Sequence, residues 1–417
     1  MARRADRRAV IAALVVAYVA AWVLVGLIFD TTTSDLDLFF WPSAQIAAHG
    51  HPLLVYSTRV GQYPNANGPL SLIPLTGVVA VADLLGWQDS LRLRAALTLG
   101  VFAVFSLLLA VEAVRAVEAG RGRLDHRLPA AAVILLAPPL WMALADFGHV
   151  EQPIELWLTL LAVRFLGRGR TVRAGILLGL AGLTRTVALI CAVPLILLLL
   201  RDHRPKSAAA MAGATVATGA AGLLPFYLAD HAGLVYSLVT YRGGLPIGGG
   251  SLWLLARGTS WTGLIQHGDA YLFGGAAILL CAAALWRRPA GACTSPRLYG
   301  LLAVAAACVP MLAKTSWPYY ILDAYVFAAI WWMGRSGKLV TWRALAPLIP
   351  MAGTLLATQT VTLPPTQMDV RVGVAASLGM AAVVGIILGD WFLGARWQEA
   401  SERAAFLPAI REPGSAP

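Results

Sequence analysis

The sequence predicts an all-α polytopic membrane protein, and three observations carry that prediction. Hydrophobic residues make up 59% of the 417 and charged residues only 13%, with a mean hydropathy of +0.71, a balance foreign to a soluble core of this size. Apolar runs of helical length recur along the chain with polar punctuation between them. The arginines stand in short clusters between those runs, as inner loops of a membrane protein do. These clusters account for the net charge of +11, so no nucleic-acid partner is implied.

Val10 to Phe29 is the first span, anchored inside by Arg3, Arg4, Arg7 and Arg8. It is too long for a signal-peptide core and no small-residue cleavage site follows. Leu70 to Leu85 comes next. If it crossed, the cluster Arg115, Arg121, Arg123 and Arg127 would fall outside, so it is read as an interfacial or re-entrant element. Spans then follow at Ser90–Val117, Leu128–Ala145, Ile154–Leu166, Val172–Leu183, Val187–Leu200 and Ser207–Leu228. After a long outer segment come Ala270–Trp286, Leu298–Leu312, Tyr320–Met333, Ala344–Gln359 and Val372–Leu393. This path puts about three quarters of the Lys and Arg on one side, which favours about 12 spans with both termini inside. Residues 1–394 form one transmembrane domain, with an active-site loop at 30–90, and 395–417 a polar cytoplasmic tail. Cys191, Cys281, Cys293 and Cys308 lack metal-ligand spacing and read as small hydrophobes.

The polar groups concentrate in outer loops. Thr31 to Pro69 gathers Asp35, Asp37, His49, His51 and Arg59 among aromatics and prolines. Asp35 and Asp37 can accept a proton from a hydroxyl or hold a divalent cation (Mg or Mn) with other loop groups; the plain alternative is a solvated helix cap. In Asp146–Pro153, His149 and Glu151 suit metal binding, sugar orientation or proton transfer, against a polar turn with Glu151 at a helix N-terminus. Arg185 sits between threonines at the tip of a hairpin of two short spans, where a cation is costly unless paired. Lys314, beside Trp317, Tyr319 and Tyr320, suits an anion with aromatic faces for a sugar, or simple snorkelling. The outer segment Tyr236–Trp261, rich in glycine, is long enough for a lid. Pro246–Gly250 lacks the Lys-Ser/Thr of a nucleotide loop.

The order Asp35, Phe39-Phe40, Gly50, Pro52, Tyr56, then Tyr63-Pro64 and Pro69, followed by Arg92 and Arg94, resembles the first outer loop of the C-type glycosyltransferases. Within them it is most similar to the bacterial polyprenyl-phosphate-mannose-dependent mannosyltransferases. Two departures are Asn65, where that family has a second proline, and a phenylalanine for a tyrosine in the loop helix. The resemblance implies a C-type fold with interfacial helices in the first extracytoplasmic loop and an inverting sugar transfer at the outer face of a bacterial cytoplasmic membrane. The donor it implies is a polyprenyl-phosphate sugar, the acceptor a glycan or glycolipid. It makes Asp35 the general base, with Asp37 the alternative, and places Tyr63 in the substrate loop. Arg185 or Lys314 would hold the donor phosphate. The rival reading is a secondary transporter of a small solute or lipid-linked saccharide, which commonly also has about twelve spans.

Overall fold

The computed structural model describes residues 2–28, 35–57, 64–121, 127–146, 148–249, 251–286, 296–335, 342–353 and 370–392. Arg59, Tyr63, the segment 354–369 and the tail 395–417 lie outside the described residues. The architecture is all-α, and its two-residue strands are a local clasp described below. Among the described residues four helices are long and apolar enough to cross a membrane: α1 (Ala2–Ile28), α4 (Leu91–Arg121), α10 (Pro205–Ala229) and α13 (Thr262–Trp286). A fifth span forms if α5 (Arg127–Leu135) and the helix from Pro138 to Ala145, bent by 51°, count as one. That break follows from Pro138 and Pro139, which cannot continue the hydrogen-bond ladder. α6 denotes the Pro138–Trp141 part of that helix.

Every other predicted span is also helical where described, but shorter. α7 covers Gln152–Gly167, α8 Thr171–Thr184, α9 Ala192–Arg201, α14 Pro296–Leu312, α15 Ile321–Arg335 and the last helix Val370–Phe392. The predicted Ala344–Gln359 is described only to residue 353, as α16 (Trp342–Leu345) and a turn of helix at 348–353. Apart from the last helix, at 23 residues, these fall below about 20, so a number of spans near twelve rests mostly on short helices. Several of these lie inside: α15 is buried along nearly its whole length and α14 almost as fully. α4, α7, α14 and α15 pack together as the centre, α8 joins α7 to α10, and α1 and α13 lie against α4 and α14. The outer helices turn apolar side chains outward, as lipid-facing surfaces do, Val216 and Leu279 among them.

The first loop is organised by helix. Leu36–Phe40 is a π-helical turn that runs into α2 (Trp41–Ala48). Gly50, at φ 91°, reverses the chain, a 3-10 turn follows at Pro52–Leu54, and α3 (Leu72–Leu84) packs on α2 and α4. At 13 residues α3 is about 20 Å long, short of a hydrocarbon core of about 30 Å. On the other side of the chain, α11 (His231–Val235), a π turn and α12 (Tyr241–Gly244) lead to β1 (Gly248–Gly249), which pairs in parallel with β2 (Thr315–Ser316).

Candidate active site

Asp35 begins the rod formed by the π turn and α2, and His149 is brought to it by a turn. Gly148 has φ 67°, and a Cβ there would stand 2.6 Å from the Leu36 Cβ. Only glycine allows the loop into α7 to lie this close to the start of the rod. The Oδ2 of Asp35 is then 2.6 Å from Nε2 of His149. The other ring nitrogen, Nδ1, is 2.6 Å from Oε1 of Glu151. Both partners are carboxylates that accept, and a neutral imidazole has one N–H, so a ring bonded to both carries two protons. Burial alone would push the imidazole down, yet Glu151 and Asp35 together hold it up at about 10. Glu151 mirrors it: burial works to raise its carboxyl, but the His149 charge and hydrogen bond, with Arg185 behind, bring it below the usual range.

The far side of Glu151 is closed by the end of the first loop. Asn67 donates from Nδ2 to Glu151 Oε1 at 3.2 Å, and its own carbonyl accepts from the Tyr56 hydroxyl at 2.8 Å. Gly68 permits this approach: its N–H donates to the Thr184 carbonyl at 3.3 Å, and a Cβ would collide with the Leu183 carbonyl. Next to that contact is Arg185, 1% exposed. Its NH1 is 3.3 Å from Asp323 Oδ2 and 3.5 Å from Glu155 Oε2, and its Nε is 3.9 Å from Glu151 Oε1. The guanidinium lies over the ring of Tyr320 at 4.9 Å. Gln152 ties the layer together, donating to Asp323 Oδ1 at 2.9 Å and to the Tyr319 carbonyl at 3.3 Å. The Tyr319 hydroxyl in turn touches Nε2 of His149, with the two rings 4.3 Å apart.

Four carboxyl groups (Asp35, Glu151, Glu155, Asp323) therefore face two cations, His149 and Arg185. Three of these acids are buried, and Asp35 alone keeps a quarter of its side chain open. Glu151 Oε2, Gln152 Oε1 and both Glu155 oxygens are buried without a hydrogen-bond partner. The network is rigid where it meets Asp35 and undersupplied with donors behind it.

The structure separates the other predicted groups from this cluster. Asp37 accepts from Arg94 NH2 at 3.0 Å, and Arg94 lies over the Trp41 ring at 4.8 Å. Lys314 donates from Nζ to the carbonyls of Gly243 at 2.7 Å and Gln266 at 2.5 Å, and burial lowers its pKa against the pull of Asp269. Its ammonium thus clasps the segment between α10 and α13 to α13, beside the β1–β2 pair. A divalent cation finds no common point, because Asp35 and Glu151 sit on opposite ring nitrogens of His149. Among the described residues no group of three His, Cys, Asp or Glu is placed to hold a metal ion. Asn67, Gln152, Glu155 and Asp323 are not among the candidates that the sequence offers. For Glu155 and Asp323 a signal existed: each is an acid inside an apolar run, where ionisable groups face partners or function.

No protein family matches the chain, and no curated protein does. Among solved structures, the crystal structure of ArnT from Cupriavidus metallidurans bound to undecaprenyl phosphate is similar, at 18% identity and a TM-score of 0.49. The match covers 91% of this chain and 77% of that one.

Proposed function

We propose that this chain is a C-type membrane glycosyltransferase that moves a sugar, mannose by the first-loop resemblance, from a polyprenyl phosphate to a glycan or glycolipid at the extracytoplasmic face. The observation that carries the reading is the Asp35–His149–Glu151 chain: a partly open carboxylate held by an imidazolium, itself held by a buried carboxylate. In this arrangement the ring fixes the orientation of the carboxylate while it receives a proton. The acceptor hydroxyl attacks the anomeric carbon and its proton passes to Asp35. The bond from that carbon to the phosphate oxygen breaks on the opposite side, its electron pair leaves with polyprenyl phosphate, and the configuration inverts. No step passes through a metal ion.

His149 fixes the orientation of Asp35 in this scheme, and Tyr319 braces the ring. Arg185, the phosphate-binding candidate of the sequence, has its guanidinium committed to Glu155, Asp323 and Glu151. Its task in the scheme is to keep Glu151 charged behind His149; contact with donor phosphate would require it to exchange one of these partners. The buried Glu155–Arg185–Asp323 group also favours a second reading, ion-coupled transport, because intramembrane charges commonly mark such paths.

The test is purified protein in proteoliposomes with polyprenyl-phosphate [13C]mannose and octyl α-mannoside. The proposal expects a new glycoside, free polyprenyl phosphate in equal amount, and an anomeric configuration opposite to the donor's by NMR. Uptake of label into the lumen without cleavage would establish the transport reading instead, and a product of retained configuration would overturn the single displacement by Asp35.

A further inference from the structure

Behind Glu151, α7 carries a polar stripe into the apolar bundle. Gln152, Glu155 and Thr159 continue it at the three- and four-residue spacing of one helix face, and all four residues are 0% exposed. At helical rise Glu155 stands about 6 Å past Glu151. Glu151 Oε2, Gln152 Oε1, both Glu155 oxygens and Thr159 Oγ1 are buried without a hydrogen-bond partner. The Gln152 amide has only one way round, because its nitrogen donates to Asp323 Oδ1 and to the Tyr319 carbonyl. Its oxygen is therefore an acceptor that lacks a donor. Buried acceptors gathered in one turn of helix call for something that brings them a donor.

Arg185 does not supply it. Its NH1 donates to Asp323 Oδ2 at 3.3 Å but stops 3.5 Å from Glu155 Oε2 without bonding to it, where a guanidinium and a carboxylate ordinarily close to about 2.7–2.9 Å. Asp323 thus takes two donors, Gln152 and Arg185, and Glu155 takes none. Glu155 is faced by Glu151 on its own helix, by Arg185 and Cys191 at the hairpin tip and the turn after it, and by Asp323 on α15. Glu151 and Asp323 balance His149 and Arg185 one for one, and Asp35 keeps its opening. An ionised Glu155 would add a buried negative charge with no cation left to match it. A metal ion needs several ligands around one point, and no group of three His, Cys, Asp or Glu offers them among the described residues. A proton takes no room, cancels the charge and brings the missing donor.

We propose that Glu155 is a proton-binding site inside the membrane bundle, a carboxylic acid whose O–H serves the acceptors of the preceding turn, Glu151 Oε2 and Gln152 Oε1. Its proton leaves Arg185 to Asp323 and Glu151. Removal of that proton would pull NH1 toward Glu155 and weaken its hold on Asp323, so the charge behind the Asp35–His149–Glu151 chain is set by a proton kept out of water. The inference goes beyond the transferase reading and holds under the transport reading as well.

The proton is read by isotope-edited infrared spectroscopy of the full chain in dodecyl maltoside, a detergent with no ester carbonyl to overlap. Protein made with glutamate 13C-labelled at the side-chain carboxyl is compared with unlabelled protein from pH 6 to 9, where ordinary glutamates are ionised. The carbonyl stretch of a protonated acid, moving with the label, is expected throughout that range and is expected to vanish in Glu155→Gln. No labelled acid band in wild type, or a band that survives in Glu155→Gln, overturns the proposal. Should that variant not fold, Asp323→Asn decides: it leaves Arg185 to Glu155, which must then ionise, so the band is expected to disappear there and its survival overturns the proposal. A melting temperature raised by sodium in wild type, with no acid band, would put a metal cation in the proton's place and overturn it too.

Discussion

Replacing His149 by glutamine removes the one charge that two carboxylates share, and the size of the effect follows from the geometry. The imidazole is raised from its ordinary 6.5 to about 10 by carboxylates 2.6 Å from each nitrogen, in a side chain only 9% exposed, so solvent screening is slight. Because the folded-state value is the higher one, the stabilisation is complete below about pH 6.5 and is lost as pH climbs through 10. Integrated over that window it amounts to roughly 5 kcal/mol, in the range of about 3–5 kcal/mol for breaking a buried ion pair from one side. Apparent melting temperatures of wild type and His149→Gln, followed by tryptophan fluorescence from pH 6 to 10.5, should differ most at the acid end and converge near pH 10. Adding Glu151→Gln to the variant should restore part of the loss, since the stranded carboxylate disappears with it. Parallel melting curves, with a gap independent of pH, would refute the doubly protonated imidazole.

Other consequences follow from the same contacts. Arg185→Met strands Glu155 and Asp323 and should cost about 3–5 kcal/mol, seen as loss of monodisperse protein in size exclusion; Arg185→Lys, which keeps the charge, should recover part. Glu155→Gln relieves the excess of acids over cations and should leave the melting temperature level or raise it, whereas Asp323→Asn, which loses a partner of both Arg185 and Gln152, should lower it. Gly148→Ala, strained at positive φ and in collision with Leu36, should cost about 1–3 kcal/mol and weaken transfer even where the protein still folds. Lys314→Met should leave transfer to octyl α-mannoside within about twofold but speed proteolysis near residues 243–266, because two carbonyl clasps are lost.

Much of the architecture is legible in the chain because lipid imposes it locally. The apolar runs and their basic punctuation mark the helices, and the short Leu70–Leu85 run marks α3 as different. Asp35 is picked out too, by its place just past a span and before Phe39-Phe40-Trp41, a place that equally suits a solvated helix cap. What joins it is not. His149 is 114 residues away, and nothing in either segment says that Gly148 will swing the ring onto Asp35 rather than Asp37. Glu155 and Asp323 are single acids in otherwise apolar runs, and they become intelligible only when α7, the hairpin tip and α15 are seen to share Arg185. Lys314 shows the opposite difficulty: a lone lysine among aromatics suggests an anion site, but its ammonium is satisfied by the carbonyls of Gly243 and Gln266, about seventy and fifty residues earlier, which only the fold brings beside it.

The most direct measurement compares Asp35→Asn with Asp37→Asn in single-turnover transfer from polyprenyl-phosphate [3H]mannose to octyl α-mannoside, using protein shown by melting temperature to be folded. The rate should fall by a factor of about 10²–10⁴ for Asp35→Asn and change by less than about threefold for Asp37→Asn, which loosens a part-exposed pair with Arg94. Equal losses in the two variants, or full activity in Asp35→Asn, would contradict Asp35 as the base.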